Sequence, residues 1–254
     1  MSTNHTPQLL NERIILVTGA AEGLGRAVAL ACAKHGATVV LMDFEDTDLE
    51  GTYDAIEANG GPQPANLLLD LAKADSLLCE GAAFTLGNEF GRLDGLVHCA
   101  AFAPYLSRID DYDPGDWAQV IQVNLSVPFM LTQACLPLLR AAPEASIVFT
   151  ADRVGRRGLA YWGAYTAAKF GIEGLVQTLA EETRDSSAIR VNSFDPGIVR
   201  TAMRAALYPA EDPYIHPDPS SVTPGYIYLL GAESRGVTGQ ALSAATLLDS
   251  GAAS

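Results

Sequence analysis

The sequence predicts a single α/β domain, built on a doubly wound parallel sheet that helices cover on both faces. Three observations lead to this fold class. Short runs that are apolar throughout, as expected for strands buried on both faces, alternate with longer runs of helical periodicity. The chain has 254 residues, of which 48% are hydrophobic, and this is enough for one large core. The sequence also contains no internal repeat or low-complexity linker at which it would divide.

The predicted elements follow one another in a regular order. The first half of the chain gives the strand RIILVTG, the helix GRAVALACAKHG, the strand ATVVLMD, the helix DTDLEGTYDAIEANGG, a strand near PANLLLD, the helix SLLCEGAAFTLGNEFG and the strand LDGLVHCA. The second half gives a long helical stretch over about 114–141, the strand ASIVFTA, a helix over 162–184, the strand AIRVNSFD and a last strand in GQALSAATLL. The Pro-rich segment 208–225 interrupts this alternation, and we expect a surface loop or a lid over the strand ends.

Composition limits the classes of function. The formal charge of -14 makes nucleic acid and anionic membrane surfaces unfavourable partners. No stretch approaches the about 20 apolar residues of a membrane span, and residues 1–9 lack the pattern of a signal peptide. The four cysteines are scattered, without a CxxC pair or a histidine at metal-ligand spacing. We therefore expect a cytoplasmic protein without a metal site, with a flexible tail over 1–9 and one domain over 10–254, including a lid at about 200–225.

Three glycines between the first strand and the first helix indicate a nucleotide site. Gly19, Gly23 and Gly25 allow a tight turn and bring backbone amides close to a pyrophosphate, although their spacing differs from GxGxxG and glycines alone would also fit a simple turn. Asp43 ends the second strand 18 residues after Gly25, near the position of a ribose-binding carboxylate. Its charge, together with that of Glu22, would repel a 2′-phosphate. The sequence therefore predicts NAD(H) rather than NADP(H).

Five motifs, which lie between residues 18 and 201, indicate a resemblance that extends from about Leu10 to Gln240, nearly the whole chain. They are TGAAEGLG (18–25), an aspartate after the third strand at 70, VNL around 124, YTAAK (165–169) and DPGIVRT (195–201). In this combination the chain resembles the short-chain dehydrogenase/reductase family, and two segments, VGRRGLAYWGAYTAAKFGIEGLVQTLAEE and TAMRAALYPAEDP, resemble its bacterial YciK-like subgroup. The resemblance implies a Rossmann-type fold with seven parallel strands, a nicotinamide cofactor, a small-molecule alcohol or carbonyl substrate, and a homo-oligomer, either a tetramer or a dimer.

The resemblance also implies which residues contact the cofactor. These are Gly19, Gly23, Leu24, Gly25, Asp43, Asp70, Leu71, Ala100, Tyr165, Lys169, Ile198 and Thr201, with Asp70 and Leu71 near adenine and Ile198 and Thr201 near the carboxamide. The segment HCAA (98–101) departs from the family's Asn-Asn-Ala-Gly, and the missing glycine adds a methyl group where the backbone approaches the cofactor. For His98 we expect a structural role beside the neighbouring strand rather than a catalytic one.

Tyr165 and Lys169 form the candidate proton-transfer pair. They stand at i and i+4, so they share one helical face, and an ammonium group there would lower the pKa of Tyr165 from about 10 toward neutrality. Tyr165 would then exchange a proton with the substrate oxygen while hydride moves; outside this fold, such a pair is more often surface packing. Pro128 has no N–H, so the carbonyl of Asn124 loses its helical partner. That carbonyl would either hold a water, which the resemblance implies is part of a proton path, or mark a plain kink.

Asp152 stands where the family places a Ser or Thr that hydrogen-bonds the substrate oxygen, thirteen residues before Tyr165. An ionised Asp152 would donate no hydrogen bond, and loss of one such donor costs about 10² to 10³ in rate. A protonated Asp152 in an apolar pocket would still donate one. As a third possibility, Asp152 pairs with one of the three arginines of RVGRR, which are Arg153, Arg156 and Arg157.

These patterns lead to one preferred function and two rivals. The preferred function is an NAD(H)-dependent oxidoreductase that interconverts an alcohol and a carbonyl, with Tyr165, Lys169, Asn124 and Asp152 as its catalytic residues. The first rival is a catalytically impaired NAD(H)-binding protein that acts as a sensor or partner subunit, and the second is a purely structural domain. The aromatic residues Tyr161 and Trp162 suit an apolar or ring-bearing substrate, although packing on a neighbouring subunit explains them equally well.

Overall fold

Seven parallel strands form the centre of the molecule. The structure, a computed structural model, describes residues 8–249. The strands are β1 (Ile14–Thr18), β2 (Thr38–Asp43), β3 (Ala65–Leu68), β4 (Gly95–His98), β5 (Ala145–Thr150), β6 (Ile189–Asp195) and β7 (Ala241–Ser243). Their order in the sheet is β3-β2-β1-β4-β5-β6-β7, and every neighbouring pair is parallel. This confirms the predicted fold class: a Rossmann-type, doubly wound α/β domain.

Nine helices connect the strands within the described residues. They are α1 (Gly23–Lys34), α2 (Leu49–Ala58), α3 (Ser76–Phe90), α4 (Pro114–Ile121), α5 (Val127–Ala141), α6 (Gly163–Thr183), α7 (Ala202–Leu207), α8 (Thr223–Leu230) and α9 (Ala244–Asp249). Side-chain oxygens cap several of their first turns, as Asp75 does by accepting from the amide of Leu78 at 2.9 Å. Gly91 ends α3 in the left-handed conformation, with φ 72°.

The core lies on both faces of the sheet because the strands alternate apolar side chains between two helical layers. In β1, Leu16 belongs to the cluster that α3, α5 and α6 cover, whereas Ile15 and Val17 belong to the cluster beneath α1 and α8. All three are fully buried. The strands are thus apolar on both faces because helices cover the sheet on both sides.

A π-helical turn over Gln122–Ser126 joins α4 to α5. Pro128, the second residue of α5, lies just after this turn and lacks the N–H that an ordinary α-helical hydrogen bond requires. The joined stretch Pro114–Ala141 has 28 residues and is long and apolar enough to cross a membrane, by length and composition alone, although the sequence analysis expected no such stretch. The core helix of a globular domain has the same properties, and 44% of the most apolar part of this stretch is buried inside the domain.

Two predicted segments differ from the structure. The last strand is only Ala241–Ser243, because the hydroxyl of Ser243 accepts from the amide of Thr246 at 3.2 Å and α9 starts there. The Pro-rich segment 208–225 is not uniformly irregular: it contains two 3₁₀ turns, and α8 begins inside it with Pro224 in its first turn. Residues 1–7 of the predicted tail lie outside the described residues, and the domain boundaries stay a prediction.

Candidate active site

A cavity of about 900 Å³ opens at the carboxyl ends of the strands, where the order of the sheet reverses between β1 and β4. Open α/β sheets bind ligands at this position. Twelve of the fourteen predicted site residues line it: Gly19, Gly23, Leu24, Gly25, Asp43, Asp70, Leu71, Ala100, Asp152, Tyr165, Ile198 and Thr201. Lys169 and Asn124 are buried behind the wall instead. The fold therefore brings predicted residues from six strand ends together in one cavity.

The turn between β1 and α1 has no room for a side chain at Gly19 or at Gly25. Gly19 has φ 68°, and a Cβ atom there would lie 2.8 Å from Cα of Ala100. A Cβ atom on Gly25 would lie 2.0 Å from the carbonyl oxygen of Gly19. The backbone thus packs against itself and leaves the start of α1 open to the cavity, which is the cradle that a dinucleotide pyrophosphate requires.

Asp43 is held rigidly at the end of β2. One carboxylate oxygen accepts from the amide of Ala21 and the other from the amide of Phe44, each at 3.0 Å. The sequence analysis missed Lys73, a cavity-lining cation that pairs with Asp70 at 2.8 Å. The hydrogen bond from Lys73 lowers the pKa of Asp70. The only available signal was the i,i+3 spacing of the two residues.

Tyr165 and Lys169 are both buried, as their neighbouring turns of α6 face the sheet. The ammonium nitrogen of Lys169 lies 5.3 Å from the centre of the Tyr165 ring and donates to the carbonyl of Thr150 at 2.7 Å. Burial lowers the pKa of Lys169 to about 8. Burial, followed by the charges of Asp152 and Asp195, raises the pKa of Tyr165 well above 10. The predicted lowering of the Tyr165 pKa is therefore wrong for the protein alone, because desolvation by burial raises this pKa and is the largest cause of the shift.

Asn124 fixes the loop that follows β4. Its amide group donates to the carbonyl of Phe102 at 2.7 Å and to that of Val120 at 2.8 Å, and its carbonyl oxygen accepts from the amide of Phe102 at 3.2 Å. These bonds hold a cavity-lining segment against the π-helical turn. The side chain of Asn124 thus has a positioning role that the sequence analysis, concerned with its backbone carbonyl, did not anticipate.

Asp152 lies directly after β5 and caps a short turn. Its Oδ1 atom accepts from the amide of Val154 at 2.9 Å. Among the described residues, no ion pair joins it to an arginine, and Arg156 pairs with Glu173 at 3.0 Å instead. The predicted alternative of arginine pairing is therefore wrong. Burial is the main cause that raises the pKa of Asp152, and the carboxylate of Asp195 adds to it.

The remaining polar residues near β4 and β5 are occupied by structural contacts. His98 lies 2.9 Å from the hydroxyl of Thr132 and stacks on Phe149, with ring centroids 4.6 Å apart. Burial lowers the pKa of His98 to about 3, in agreement with a structural role. The hydroxyl of Thr150 lies 2.9 Å from that of Tyr226, so its hydrogen-bonding capacity is shared inside the core.

Aromatic and apolar side chains form the far end of the cavity. Trp162 packs on Tyr165 with ring centroids 5.4 Å apart, and Phe102, Met203 and Leu207 line the same space. The sequence analysis named none of these last three individually: Phe102 lies in the irregular loop after β4, and Met203 and Leu207 belong to α7, within the predicted lid. Tyr161 does not line this cavity. It has φ 74° and contributes to a separate cavity of about 350 Å³.

The lid carries a cation that the sequence analysis also missed. Arg204, in α7, lines the cavity and donates two hydrogen bonds to Glu211, at 2.7 and 2.9 Å. Its guanidinium carbon lies 3.7 Å from the centre of the Tyr208 ring. The ion pair between Arg204 and Glu211 thus links the two ends of the segment 204–211 at the edge of the cavity.

One protein family and three known proteins are similar to this chain along most of its length. A family model described as short chain dehydrogenase matches residues 13–212. The uncharacterised oxidoreductase YciK of Escherichia coli (strain K12) is 43% identical over 236 residues, covering 93% of each chain. Cyclohexanol dehydrogenase of Acinetobacter sp. (strain SE19) is 31% identical over 234 residues, covering 90% of this chain and 92% of that one. A structure from Shigella flexneri 2a, complexed with NADP, has a TM-score of 0.91 and 42% identity, covering 94% of this chain and 100% of that one.

Proposed function

This chain belongs to the short-chain dehydrogenase family and is thus an oxidoreductase, and from that premise we propose that it interconverts an alcohol and a carbonyl with NAD(H). The observation that carries the proposal is the position of Tyr165, in the wall of the same cavity as the glycine turn. A proton-transfer group and a dinucleotide cradle therefore open into one space. A site of this kind suits hydride transfer at a small molecule.

The residues around the cavity fit a nicotinamide dinucleotide. The turn of Gly19, Gly23 and Gly25 would hold the pyrophosphate, and the carboxylate of Asp43 would accept from the ribose hydroxyls. Following the family resemblance, the remaining cofactor contacts are assigned to Leu24, Asp70, Leu71, Ala100, Tyr165, Lys169, Ile198 and Thr201.

Acidic residues support NAD(H) over NADP(H). Asp43, Asp46 and Asp48 all line the cavity at and after the end of β2, where their charge would oppose the 2′-phosphate of a bound NADP(H). Lys73 is the nearby cation, and Asp70 engages it at 2.8 Å. The similar structure from Shigella flexneri contains NADP, and the choice between the two cofactors therefore requires a direct measurement on this protein. We expect NADH to bind more tightly than NADPH in a fluorescence titration, and Asp43→Asn to reduce the difference. NADPH binding as tight as that of NADH contradicts this part of the proposal.

Tyr165 exchanges the proton in this proposal. The nicotinamide, when bound, supplies or accepts the hydride, and the substrate oxygen takes its proton from Tyr165 or returns it there. Lys169 is the buried cation beside the phenol, and a positive charge there favours the phenolate that forms when the proton leaves. Asn124 keeps the Phe102 segment in place on the opposite side.

A ring-bearing secondary alcohol or ketone is the proposed substrate class. Trp162, Phe102 and Met203 present apolar surface to the space beside Tyr165. The relative that is 31% identical is a cyclohexanol dehydrogenase, whose name points in the same direction. A flat aromatic wall favours an apolar ring because it removes more apolar surface from water than a short open chain would.

The central test is NADH oxidation with cyclohexanone and with short linear ketones, in wild type and Tyr165→Phe. We expect wild type to prefer cyclohexanone. The phenylalanine variant should lose about 10² to 10⁴ in rate while it still binds NADH, because only the exchangeable proton is removed. Equal turnover by the two proteins contradicts the role of Tyr165.

One observation favours a second candidate, an impaired NAD(H)-binding protein that acts as a sensor or partner subunit. Asp152 replaces the hydroxyl of the family, and its charge, after burial and ahead of Asp195, raises the pKa of Tyr165. Both effects oppose proton transfer if Asp152 is ionised. Binding of NADH without turnover of any ketone or alcohol is the outcome that supports this candidate.

We also propose a homo-oligomer, a tetramer or a dimer, in the cytoplasm. Three large apolar side chains on successive helices support assembly: Trp117 on α4, Phe129 on α5 and Phe170 on α6 are 39%, 46% and 46% exposed. The four cysteines are free and buried, which suits a reducing compartment. Sedimentation of wild type against Phe129→Glu and cell fractionation test these two points. A monomeric wild type contradicts the first.

A further inference from the structure

We infer that Asp152 works in this site as a neutral carboxylic acid, which donates a hydrogen bond to the oxygen of the bound alcohol or carbonyl. The inference rests on the proposed function, because it assigns a charge state and a role within the same substrate site. It makes Asp152 a replacement for the missing hydroxyl rather than a defect.

The turn after β5 prepares the carboxyl group for this role. Asp152 lines the cavity together with Tyr165, and its Oδ1 atom accepts from the amide of Val154 at 2.9 Å. Among the described residues, no hydrogen bond engages its Oδ2 atom. One oxygen is therefore anchored as an acceptor, and the other is the one that can carry a proton toward a ligand.

Among the described residues, none of the four nearby cations forms an ion pair with Asp152, and two of them are engaged elsewhere. Arg156 donates to Glu173 and to the carbonyl of Leu242, each at 3.0 Å. The ammonium of Lys169 donates to the carbonyl of Thr150 at 2.7 Å. Within the described residues, Arg153 and Arg157 form no ion pair at all. A largely buried carboxyl group without a paired cation ionises less readily than an exposed one, because ionisation would leave an unpaired charge in the cavity wall.

The groups that face Asp152 from the neighbouring elements act on its pKa in both directions, and their net effect, with burial, is to raise it. Burial and the carboxylate of Asp195, at the end of β6, raise the pKa of Asp152, whereas the Val154 amide, Lys169 and Arg153 lower it. Burial is the largest of these effects. Asp152 is also a larger cause than Asp195 of the raised Tyr165 pKa. A neutral Asp152 thus removes the stronger of two negative charges that would hinder proton transfer at Tyr165.

The reaction keeps its balance with this assignment. In carbonyl reduction, the hydride reaches the carbon and the proton of Tyr165 reaches the oxygen, after which solvent restores the tyrosine proton. Asp152 keeps its own proton throughout and contributes a hydrogen bond that strengthens as negative charge develops on the oxygen.

The test compares Asp152→Asn with Asp152→Leu in cyclohexanone reduction by NADH across a pH series. Asparagine keeps the shape and a hydrogen-bond donor but cannot ionise, whereas leucine has no donor. We expect the leucine variant to lose about 10² to 10³ in kcat/KM and the asparagine variant to be at least about tenfold faster than leucine. The rate of wild type should fall at high pH as Asp152 ionises, and that component of the fall should be absent from the asparagine variant. An asparagine variant as slow as leucine, or an unchanged alkaline fall, overturns the inference.

A second readout is independent of turnover. The infrared difference spectrum of wild type against Asp152→Leu, recorded at neutral pH without cofactor, should contain the carbonyl stretch of a protonated carboxylic acid. A difference spectrum with only carboxylate bands overturns the inference. If no form reduces any ketone, the proposed function fails, while the infrared band still decides the charge state of Asp152.

Discussion

The substitution Gly25→Ala tests whether the glycine turn is as tight as the structure indicates. A Cβ atom at this position would lie 2.0 Å from the carbonyl oxygen of Gly19, whereas ordinary contacts begin at 3.4 Å. The turn would have to open by about 1.4 Å, and the obstacle is backbone that no side-chain rotation relieves. Overpacking of this kind costs about 3 kcal/mol, the upper end of its usual range. Gly25→Ala should therefore lower the melting temperature by about 6–12 °C and weaken NADH binding by about 10²-fold.

The matched control is the same substitution at Gly174, an exposed glycine inside α6. A Cβ atom there meets nothing within 4 Å. Alanine should stabilise the helix by about 0.5–1 kcal/mol, because the unfolded chain loses conformational freedom. Thermal unfolding and NADH titration of both variants form the assay. If Gly25→Ala melts and binds NADH as wild type does, the turn yields more easily than these distances allow, and the reasoning is refuted.

Three further substitutions give four expected outcomes. Glu144→Gln removes the carboxylate that Arg13, Arg190 and Arg235 share, which should cost about 3 kcal/mol in a urea titration at pH 7; no loss contradicts this estimate. Hydrogen bonding from Arg235 lowers the pKa of Glu144 to about 2, below its unfolded value of about 4.5, so its stabilisation is present above pH 4.5 and is lost as pH falls toward 2; the glutamine variant should show a shallower acid transition. His98→Gln should lessen the loss of stability between pH 6.5 and 3, because burial lowers the pKa of His98 to about 3 and only the unfolded chain is protonated in that window; an unchanged acid limb rules this out. Trp162→Ala should raise KM for cyclohexanone more than for a short linear ketone, and equal changes would remove the tryptophan from substrate recognition.

The sheet was predictable because its determinants are local. Residues such as Leu16 and Val17 are apolar on successive positions, and only burial on both faces of a sheet accommodates that pattern. The last strand was predicted too long because Ser243 caps a helix, and its short-range hydrogen bond competes with a weak strand signal. The glycine turn was predictable for the same reason as the sheet, since it lies between two clear elements.

The chemistry of the site was less predictable because charge depends on burial and on neighbours distant in sequence. The sign of the Tyr165 pKa shift follows from desolvation and from Asp195, which is 30 residues away. Arg156 has a closer acidic residue in sequence, Asp152, yet it pairs with Glu173 one helix away. Arg204, in α7, and Lys73, in the turn after β3, line the cavity only because these two segments fold over the strand ends. Spacing along the chain contains none of this information.

The π-helical turn over Gln122–Ser126 sets the rotational phase between the two helices that it joins. A π-helical turn contains about one residue more than an α-helical turn, so this segment accommodates one extra residue while α4 and α5 keep their relative phase, whereas a further residue inserted here would rotate all of α5 by about 100°. Leu131, Cys135 and Leu139, which now face the core, would swing toward solvent. A substitution in the turn that keeps size and polarity therefore leaves the orientation of α5 unchanged, whereas an insertion of one residue would turn the core-facing side of α5 away from the sheet.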